Sequence, residues 1–225
     1  MKKILSLVML LTSFSILSAC ANNGNRANGR QQSSSEPEQP ATSTASQTDE
    51  AKAGKKVLVA FFSHTGENYN VGYIEKGNTH IVAEMIAAET GGDLFEIKTV
   101  KPYPKEYRPC TDVAKQEKES NARPELQSDV KTEDYDVIFL GYPNWWGDMP
   151  MAVYTFIEKH DWQGKTVVPF CTHEGSGLSD TERSIRDVCK GATVSEGLAI
   201  RGKTAQKVQP QAKQTVQTWL KKLNY

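Results

Sequence analysis

The sequence predicts an α/β domain built on a doubly wound, five-stranded parallel sheet. From residue 55 to the C-terminus, strand-like apolar runs alternate with helix-like segments, an alternation typical of βαβ units. The third strand, Val137-Ile138-Phe139-Leu140, is continuously apolar, as expected where helices cover both faces of a sheet. In such sheets ligands bind beyond the carboxyl ends of the strands.

The predicted elements follow one another in regular order. Strands are predicted over 56–62, 93–98, 136–142, 165–171 and 194–200, and helices over 78–90, 106–121, 150–160, 178–190 and 205–223. Gly91 and Gly92 end the first helix as a C-cap does. The last helix carries apolar residues at three- and four-residue spacing, namely Val208, Ala212, Val216, Leu220 and Leu223.

The N-terminal residues predict export. Residues 1–20 combine Lys2-Lys3, an apolar run and the closing tetrad Leu17-Ser18-Ala19-Cys20, which indicates a secretory signal. The tetrad resembles a bacterial lipobox, in which Cys20 receives lipid; a plain signal peptide is the alternative. Residues 21–54 are rich in Ser, Gln, Asn, Thr and Pro and predict a disordered tether. The domain at 55–225 is therefore expected outside the cytoplasm, anchored to the membrane only by lipid.

Charge and cysteine content narrow the class of protein. Lys and Arg together number 27, as do Asp and Glu, and no basic stripe supports nucleic-acid binding. Cys171 is expected to end a strand and Cys189 to end the helix that follows. That helix separates its ends by about 18 Å, so a disulfide between them is not expected. Cys110 is expected in a loop region, with a structural role favoured over a reactive thiol.

A first polar loop follows the first strand. Hydroxyl, amide and glycine residues come just before a predicted helix, where unpaired backbone N–H groups can hold an anion without Lys or Arg. This pattern predicts a phosphate site, although it matches neither the P-loop nor the GxGxxG motif. The candidate residues are Ser63, Thr65, Asn68, Gly77, Asn78 and Thr79.

A second loop, Tyr142 to Pro150, follows the third strand and contains two adjacent tryptophans, Trp145 and Trp146. An indole face stacks well on a flat heteroaromatic ring, and Gly147 lets the backbone approach that ring. One of the two tryptophans is expected to pack into the core beneath the loop. The candidate binding residues are Pro143, Asn144, Trp145, Trp146 and Gly147.

A third loop follows the fourth strand, and its glycines are expected to offer backbone donors at the edge of a ring. Its candidate residues are Thr172, Glu174, Gly175, Ser176 and Gly177. A hydrolase using Ser176, His173 and Asp180 is disfavoured because the motif is not the GxSxG elbow. The four histidines lack metal-ligand spacing, so no metal site is predicted.

Together these motifs resemble the flavodoxin superfamily, and more narrowly the flavodoxin-like proteins of bacterial genomes. The resemblance covers residues 55–224 and is carried by Ser63-His64-Thr65-Gly66, Gly77-Asn78-Thr79, Tyr142 to Pro150 and Thr172 to Gly177. In short-loop flavodoxins the first motif runs directly into the helix, whereas here Glu67 to Lys76 intervene. The resemblance implies the strand order 2-1-3-4-5.

The same resemblance implies non-covalent FMN as the cofactor, with its phosphate at the first loop and its ring between the second and third. Backbone groups of Asn144 to Gly147 are hypothesised to bond the ring near N5. Electron transfer with an unidentified redox partner or small acceptor is the favoured function. An NAD(P)H-dependent flavin or quinone reductase remains an alternative, so enzymatic turnover is left open. A lipoprotein that binds a ligand without redox turnover is the third possibility.

Overall fold

The computed structural model describes residues 54–225. The predicted signal sequence, the lipidation site Cys20 and residues 21–53 of the predicted tether lie outside the described residues. Among residues 54–225, no helix combines the length and the apolar character that crossing a membrane requires.

The elements alternate much as predicted. In chain order the strands are β1 (Val57–Phe61), β2 (Gly66–Asn68), β3 (Gly72–Ile74), β4 (Asp93–Glu96), β5 (Val137–Pro143), β6 (Thr166–His173), β7 (Thr193–Val194) and β8 (Leu198–Arg201). The α-helices are α1 (Asn78–Thr90), α2 (Tyr107–Glu119), α3 (Met151–Lys159), α4 (Thr181–Val188), α5 (Gly202–Lys207) and α6 (Gln209–Lys222). A short 3-10 turn spans Thr132–Asp134.

The main sheet is parallel and has the order β4-β1-β5-β6, followed by a fifth position that β7 and β8 share. The predicted fold class and the strand order 2-1-3-4-5 are confirmed. The order reverses between β1 and β5, so the ends of these strands flank the switch point at which doubly wound proteins bind ligands.

The fifth strand is interrupted, although it was predicted as one run over 194–200. Its two pieces pair with opposite ends of β6, β7 at Thr166–Val167 and β8 at Phe170–His173. Between them, the backbone N–H of Gly197 donates to Oε1 of Glu182 at 2.7 Å. This contact with α4 satisfies the N–H that would otherwise need a sheet partner.

The last predicted helix, 205–223, is two helices. The chain breaks at Val208, whose φ of −134° and ψ of 54° are not helical. Pro210 explains the break, because its ring excludes a continuous helix through the preceding turn but is tolerated in the first turn of α6. Val208 is consequently exposed, whereas Ala212, Val216 and Leu220 are buried as predicted.

Two hydrophobic clusters cover the two faces of the sheet. Side chains alternate along β1, with Leu58 and Ala60 in one cluster and Val59 and Phe61 in the other, as the pleat of a strand requires. The first cluster includes residues of α3 and α4, and the second includes residues of α1, α5 and α6. Burial of each large apolar side chain contributes about 1.5–3 kcal/mol, so this double core holds the strand ends in place.

Candidate functional site

A cleft of about 690 Å³ opens at the carboxyl ends of β1, β5 and β6. Residues of all three predicted loops line it, together with residues that the sequence did not single out, from the β2–β3 hairpin and from α2. The predicted residues that line the cleft are Asn68, Asn78, Pro143, Asn144, Trp145, Trp146, Thr172, Glu174, Gly175 and Ser176.

The N-terminus of α1 forms one end of the cleft. Among residues 54–225, the backbone N–H groups of Asn78 and Thr79 have no hydrogen-bond partner. The next N–H, that of His80, donates to Oγ of Ser63 at 3.1 Å. Gly77 must be glycine here, because a Cβ would stand 2.1 Å from that Ser63 oxygen. Two free N–H groups at a helix N-terminus suit an anion.

Three other predicted residues of the first loop take different positions. The Thr79 hydroxyl lies behind the cleft, 2.8 Å from the Thr172 hydroxyl, and so connects the first loop to the third. Asn78 lines the cleft, and its Oδ1 is buried without a partner within the described chain. Thr65 is half-buried and is not among the residues that line the cleft. An unpaired buried acceptor is costly, so Asn78 presents a vacant acceptor for a ligand donor.

The inserted segment after the first strand is an antiparallel hairpin that packs on the start of α2. Gly66 pairs with Ile74, and the Glu67 N–H donates to the Lys105 carbonyl at 2.7 Å. The rings of Tyr69 and Tyr107 stack with centroids 6.0 Å apart. The insertion therefore adds a wall to the cleft rather than a loose loop.

The second loop divides the two tryptophans as predicted. Trp145 is half-buried, with edge-on contacts to Phe62, His64 and Tyr103 at centroid distances of 5.4, 5.8 and 5.2 Å. Trp146 is 53 % exposed and lines the cleft. Its indole N–H donates to the Thr111 carbonyl at 3.0 Å, so α2 supports the exposed ring.

A tight turn sets this arrangement. Trp145 and Asp148 exchange backbone hydrogen bonds of 2.8 and 3.1 Å, and both residues between them, Trp146 and Gly147, have positive φ, the pattern of a type I′ turn. The N–H groups of Asn144 and Trp145 are used within the protein. Those of Trp146 and Gly147 have no partner in the described part of the chain, which narrows the hypothesised donors to these two. Gly147 itself does not line the cleft.

The third loop differs from the expectation that its glycines offer free donors. The N–H groups of Gly175 and Gly177 both donate to Nδ1 of His173, at 3.0 and 3.1 Å. The Glu174 carboxylate accepts from the Lys203 N–H at 2.7 Å. Ser176 is left to face the cleft, while Gly177 lies behind it. The His173 ring therefore binds the two backbone N–H groups that were predicted to be free for the ligand.

The pKa values of the two cleft histidines, His64 and His173, are lowered, which favours the neutral imidazole in both. Burial lowers the pKa of His64, against the opposing effect of its contact with the Pro104 carbonyl. Burial also lowers the pKa of His173, and the Arg201 cation lowers it further, while Glu174 raises it. Within residues 54–225, Ser176 makes no hydrogen bond to His173, so the serine lacks the base that a hydrolase needs.

Cys110 lies in α2 and not in a loop as expected, and it is buried at the cleft wall. Burial and the nearby Glu117 raise the pKa of its thiol to about 12, which fits the structural role that was favoured. All three cysteines of the described chain are free. Over the same residues, no group of three or more His, Cys, Asp or Glu side chains is placed to hold a metal.

Sequence reasoning missed the part of the cleft wall that α2 and the hairpin supply. Those residues are Glu67, Tyr69, Tyr107, Arg108, Thr111 and Asp112, and His64 of the first loop was missed as well. The aromatic residues of the insertion were a usable signal, since exposed aromatic side chains that converge on one place indicate a binding surface. Their convergence depends on the docking of the hairpin, which periodicity does not reveal.

The sheet order and the position of the cleft define a doubly wound α/β protein that binds its ligand at the switch point. A sequence model described as flavodoxin matches residues 56–223. The chain therefore belongs to the flavodoxin family.

Solved structures agree with this assignment. A protein from Bacteroides eggerthii, proposed to be a flavoprotein, is 30 % identical with a TM-score of 0.59, over 76 % of this chain and 99 % of that one. A similar protein from Bacteroides uniformis is also 30 % identical, with a TM-score of 0.59, over 75 % and 99 %. A flavoprotein from Lactobacillus acidophilus in complex with FMN shares the fold at 23 % identity and a TM-score of 0.52, over 70 % and 98 %. No curated protein matches the chain.

Proposed function

We propose that this protein binds FMN in the cleft and serves as a flavodoxin-like electron-transfer protein. The observation that carries the proposal is that the residue with the first unpaired N–H group of α1, Asn78, and the exposed ring of Trp146 line one cleft. Membership of the flavodoxin family and the FMN-bound relative from Lactobacillus acidophilus support FMN as the cofactor.

The residues present fit the chemistry of FMN. The N–H groups of Asn78 and Thr79 suit a phosphate without a cationic side chain, and the vacant Oδ1 of Asn78 suits a donating hydroxyl. At the opposite end of the cleft, the free N–H of Trp146 suits a ring nitrogen. A volume of about 690 Å³ lies within the range of about 300–1,000 Å³ for small-molecule sites.

When bound, FMN supplies the electron chemistry, and the protein binds and orients it. Trp146 offers a flat surface for the ring, and the bond from its indole N–H to Thr111 fixes the orientation of that surface. The Asp148 carboxylate lies 3.5 Å from the Lys118 ammonium, and Asp148 is outside the cleft lining. Glu174 lines the cleft, but one oxygen of its carboxylate accepts a hydrogen bond from the Lys203 N–H in the first turn of α5.

Purification of the full chain tests the proposal directly. We expect the purified protein to be yellow and to release FMN on denaturation. The Asn78→Ala variant should be colourless or should bind FMN more weakly. A colourless protein that does not take up added FMN would instead favour the ligand-binding lipoprotein.

A second candidate, the NAD(P)H-dependent reductase, is favoured by one observation. The cleft extends past the three loops to Tyr69, Tyr107 and Arg108, where stacked rings and a cation could receive a second planar group. Anaerobic addition of NADPH to the FMN-loaded protein distinguishes the candidates. Rapid bleaching supports the reductase, and unchanged colour supports the carrier.

We also propose that the chain is exported and anchored to the outer face of the cell membrane through lipid on Cys20. The basic start, the apolar run and the closing tetrad support this location. Mass spectrometry of the mature N-terminus tests it, with Cys20→Ala as the comparison. Loss of lipid and of membrane association in that variant is expected.

A further inference from the structure

The shape of the third loop depends on one ring atom. Nδ1 of His173 accepts hydrogen bonds from two backbone donors, the N–H groups of Gly175 and Gly177. Since both partners are donors, Nδ1 carries no proton and the imidazole is neutral, with its proton on Nε2. A protonated ring would place an N–H against two N–H groups, and both bonds would be lost.

Neighbouring bonds depend on the same turn. The Gly177 carbonyl accepts from Nδ2 of Asn144 at 2.9 Å and from the Cys171 thiol at 3.2 Å. Gly177 has a φ of +62°, a conformation that favours glycine. The turn thus holds the third loop against the second, and it places Gly175 and Ser176 at the cleft.

The charged groups around the imidazole come from two elements. Arg201, at the end of β8, donates to the carbonyl of Glu174 at 3.1 Å. Its positive charge disfavours protonation of the His173 ring. Glu174, within the loop, favours that charge but is engaged with the Lys203 N–H. The third neighbour, Asn144 of the second loop, is uncharged.

We propose that neutral His173 is a positioning residue for FMN, which holds the loop Thr172–Gly177 in the shape that receives the flavin ring, and that protonation of the imidazole releases this loop and weakens FMN binding. The FMN part of this inference rests on the proposed function. If the FMN-bound form excludes the protonated ring, the Kd for FMN rises by about tenfold per pH unit below the pKa of His173 in the FMN-free protein. Burial and Arg201 place that pKa below 6.5, so the loop is ordered at neutral pH and loosens as the pH falls.

Two measurements on the full chain test this. The first is the Kd for FMN and for riboflavin from about pH 8, above the ordinary range of histidine, down to the lowest pH at which the chain stays folded, because the pKa of His173 is lowered. Riboflavin is included because it lacks the phosphate group, whereas the phosphate of FMN itself titrates at about pH 6. The second is amide hydrogen exchange of Gly175 and Gly177 without FMN, corrected for the intrinsic pH dependence of exchange.

Three variants separate the hydrogen-bonding role of the His173 ring from the effect of its protonation. In His173→Asn, Oδ1 takes the place of Nδ1 on the same carbon, accepts the same N–H groups and does not titrate. His173→Ala removes the acceptor. His64→Gln removes the other cleft histidine and should keep the pH slope, whatever its absolute affinity.

We expect the wild type to show the pH slope with both flavins, His173→Asn to lose it, and His173→Ala to bind about tenfold more weakly at neutral pH with faster exchange at both glycines. The same slope in His173→Asn, its disappearance in His64→Gln, or unchanged exchange in His173→Ala would overturn the inference. Absence of FMN binding at every pH would overturn the proposed function and the FMN part of this inference, while amide exchange would still decide whether His173 holds the loop.

Discussion

The carboxylate of Glu67 accepts a hydrogen bond from the backbone N–H of Tyr107 at 3.0 Å. One residue belongs to the inserted hairpin and the other begins α2, so this bond caps the helix and fastens the hairpin with one contact. Glu67 also donates its own N–H to Lys105. The part of the cleft wall that the insertion supplies is therefore fixed to the start of α2 by hydrogen bonds.

Docking of the hairpin on α2 predicts that substitutions at two glycines, Gly66 and Gly72, reduce stability by different amounts. Both glycines have positive φ. A Cβ at Gly66 would stand 2.4 Å from the Lys105 carbonyl oxygen, whereas one at Gly72 meets nothing within 4 Å. Gly66→Ala should therefore lower the free energy of unfolding by about 1–3 kcal/mol more than Gly72→Ala, since the two share the backbone strain. Urea denaturation measures this, and equal losses would refute the docking.

The two tryptophans, Trp145 and Trp146, are expected to contribute to stability by different amounts. Trp145→Ala should lower the free energy of unfolding by about 3 kcal/mol, because its ring packs on Phe62 and Tyr103. Trp146→Ala should lower it by only about 1 kcal/mol, the value of one hydrogen bond, and should weaken FMN binding. Denaturation and FMN titration of both variants check this. If Trp146→Ala bound FMN as tightly as the wild type, the exposed indole would have no role in the site.

The break in the fifth strand predicts a role for the Glu182 carboxylate. Glu182→Ala leaves the Gly197 N–H without its partner and should lower the free energy of unfolding by about 1.5–3 kcal/mol, with faster amide exchange at Gly197. Glu182→Gln keeps the accepting oxygen and serves as the matched control, with a smaller loss. Equal exchange at Gly197 in all three proteins would contradict this.

The thiols should resist alkylation. Burial raises the pKa of Cys110, Cys171 and Cys189 to about 12 each, so each stays protonated and unreactive at pH 8. Treatment with iodoacetamide followed by peptide mapping should find these cysteines unmodified in native protein and modified after denaturation. Rapid native labelling of Cys110 would reveal a thiolate that the buried position does not predict.

Much of the fold was predictable because apolar runs and helix caps are local signals. The positions of the first four predicted strands and the start of α1 at Asn78 follow from them directly. Two predicted elements, the fifth strand and the last helix, are each interrupted in the structure. Pro210 was a visible signal against one continuous last helix, but the interruption at Gly197 depends on Glu182, fifteen residues away.

The sequence by itself determined the doubly wound sheet, the place of the site at the strand ends and the polar and aromatic residues gathered there, because periodicity and motif order are properties of the chain. Tertiary structure alone decided which donors remain free. His173 takes the N–H groups of Gly175 and Gly177, Ser63 takes that of His80, and those of Asn78 and Trp146 are left. The physical reason is that a hydrogen bond depends on distances and angles set by packing, which the order of residues does not specify.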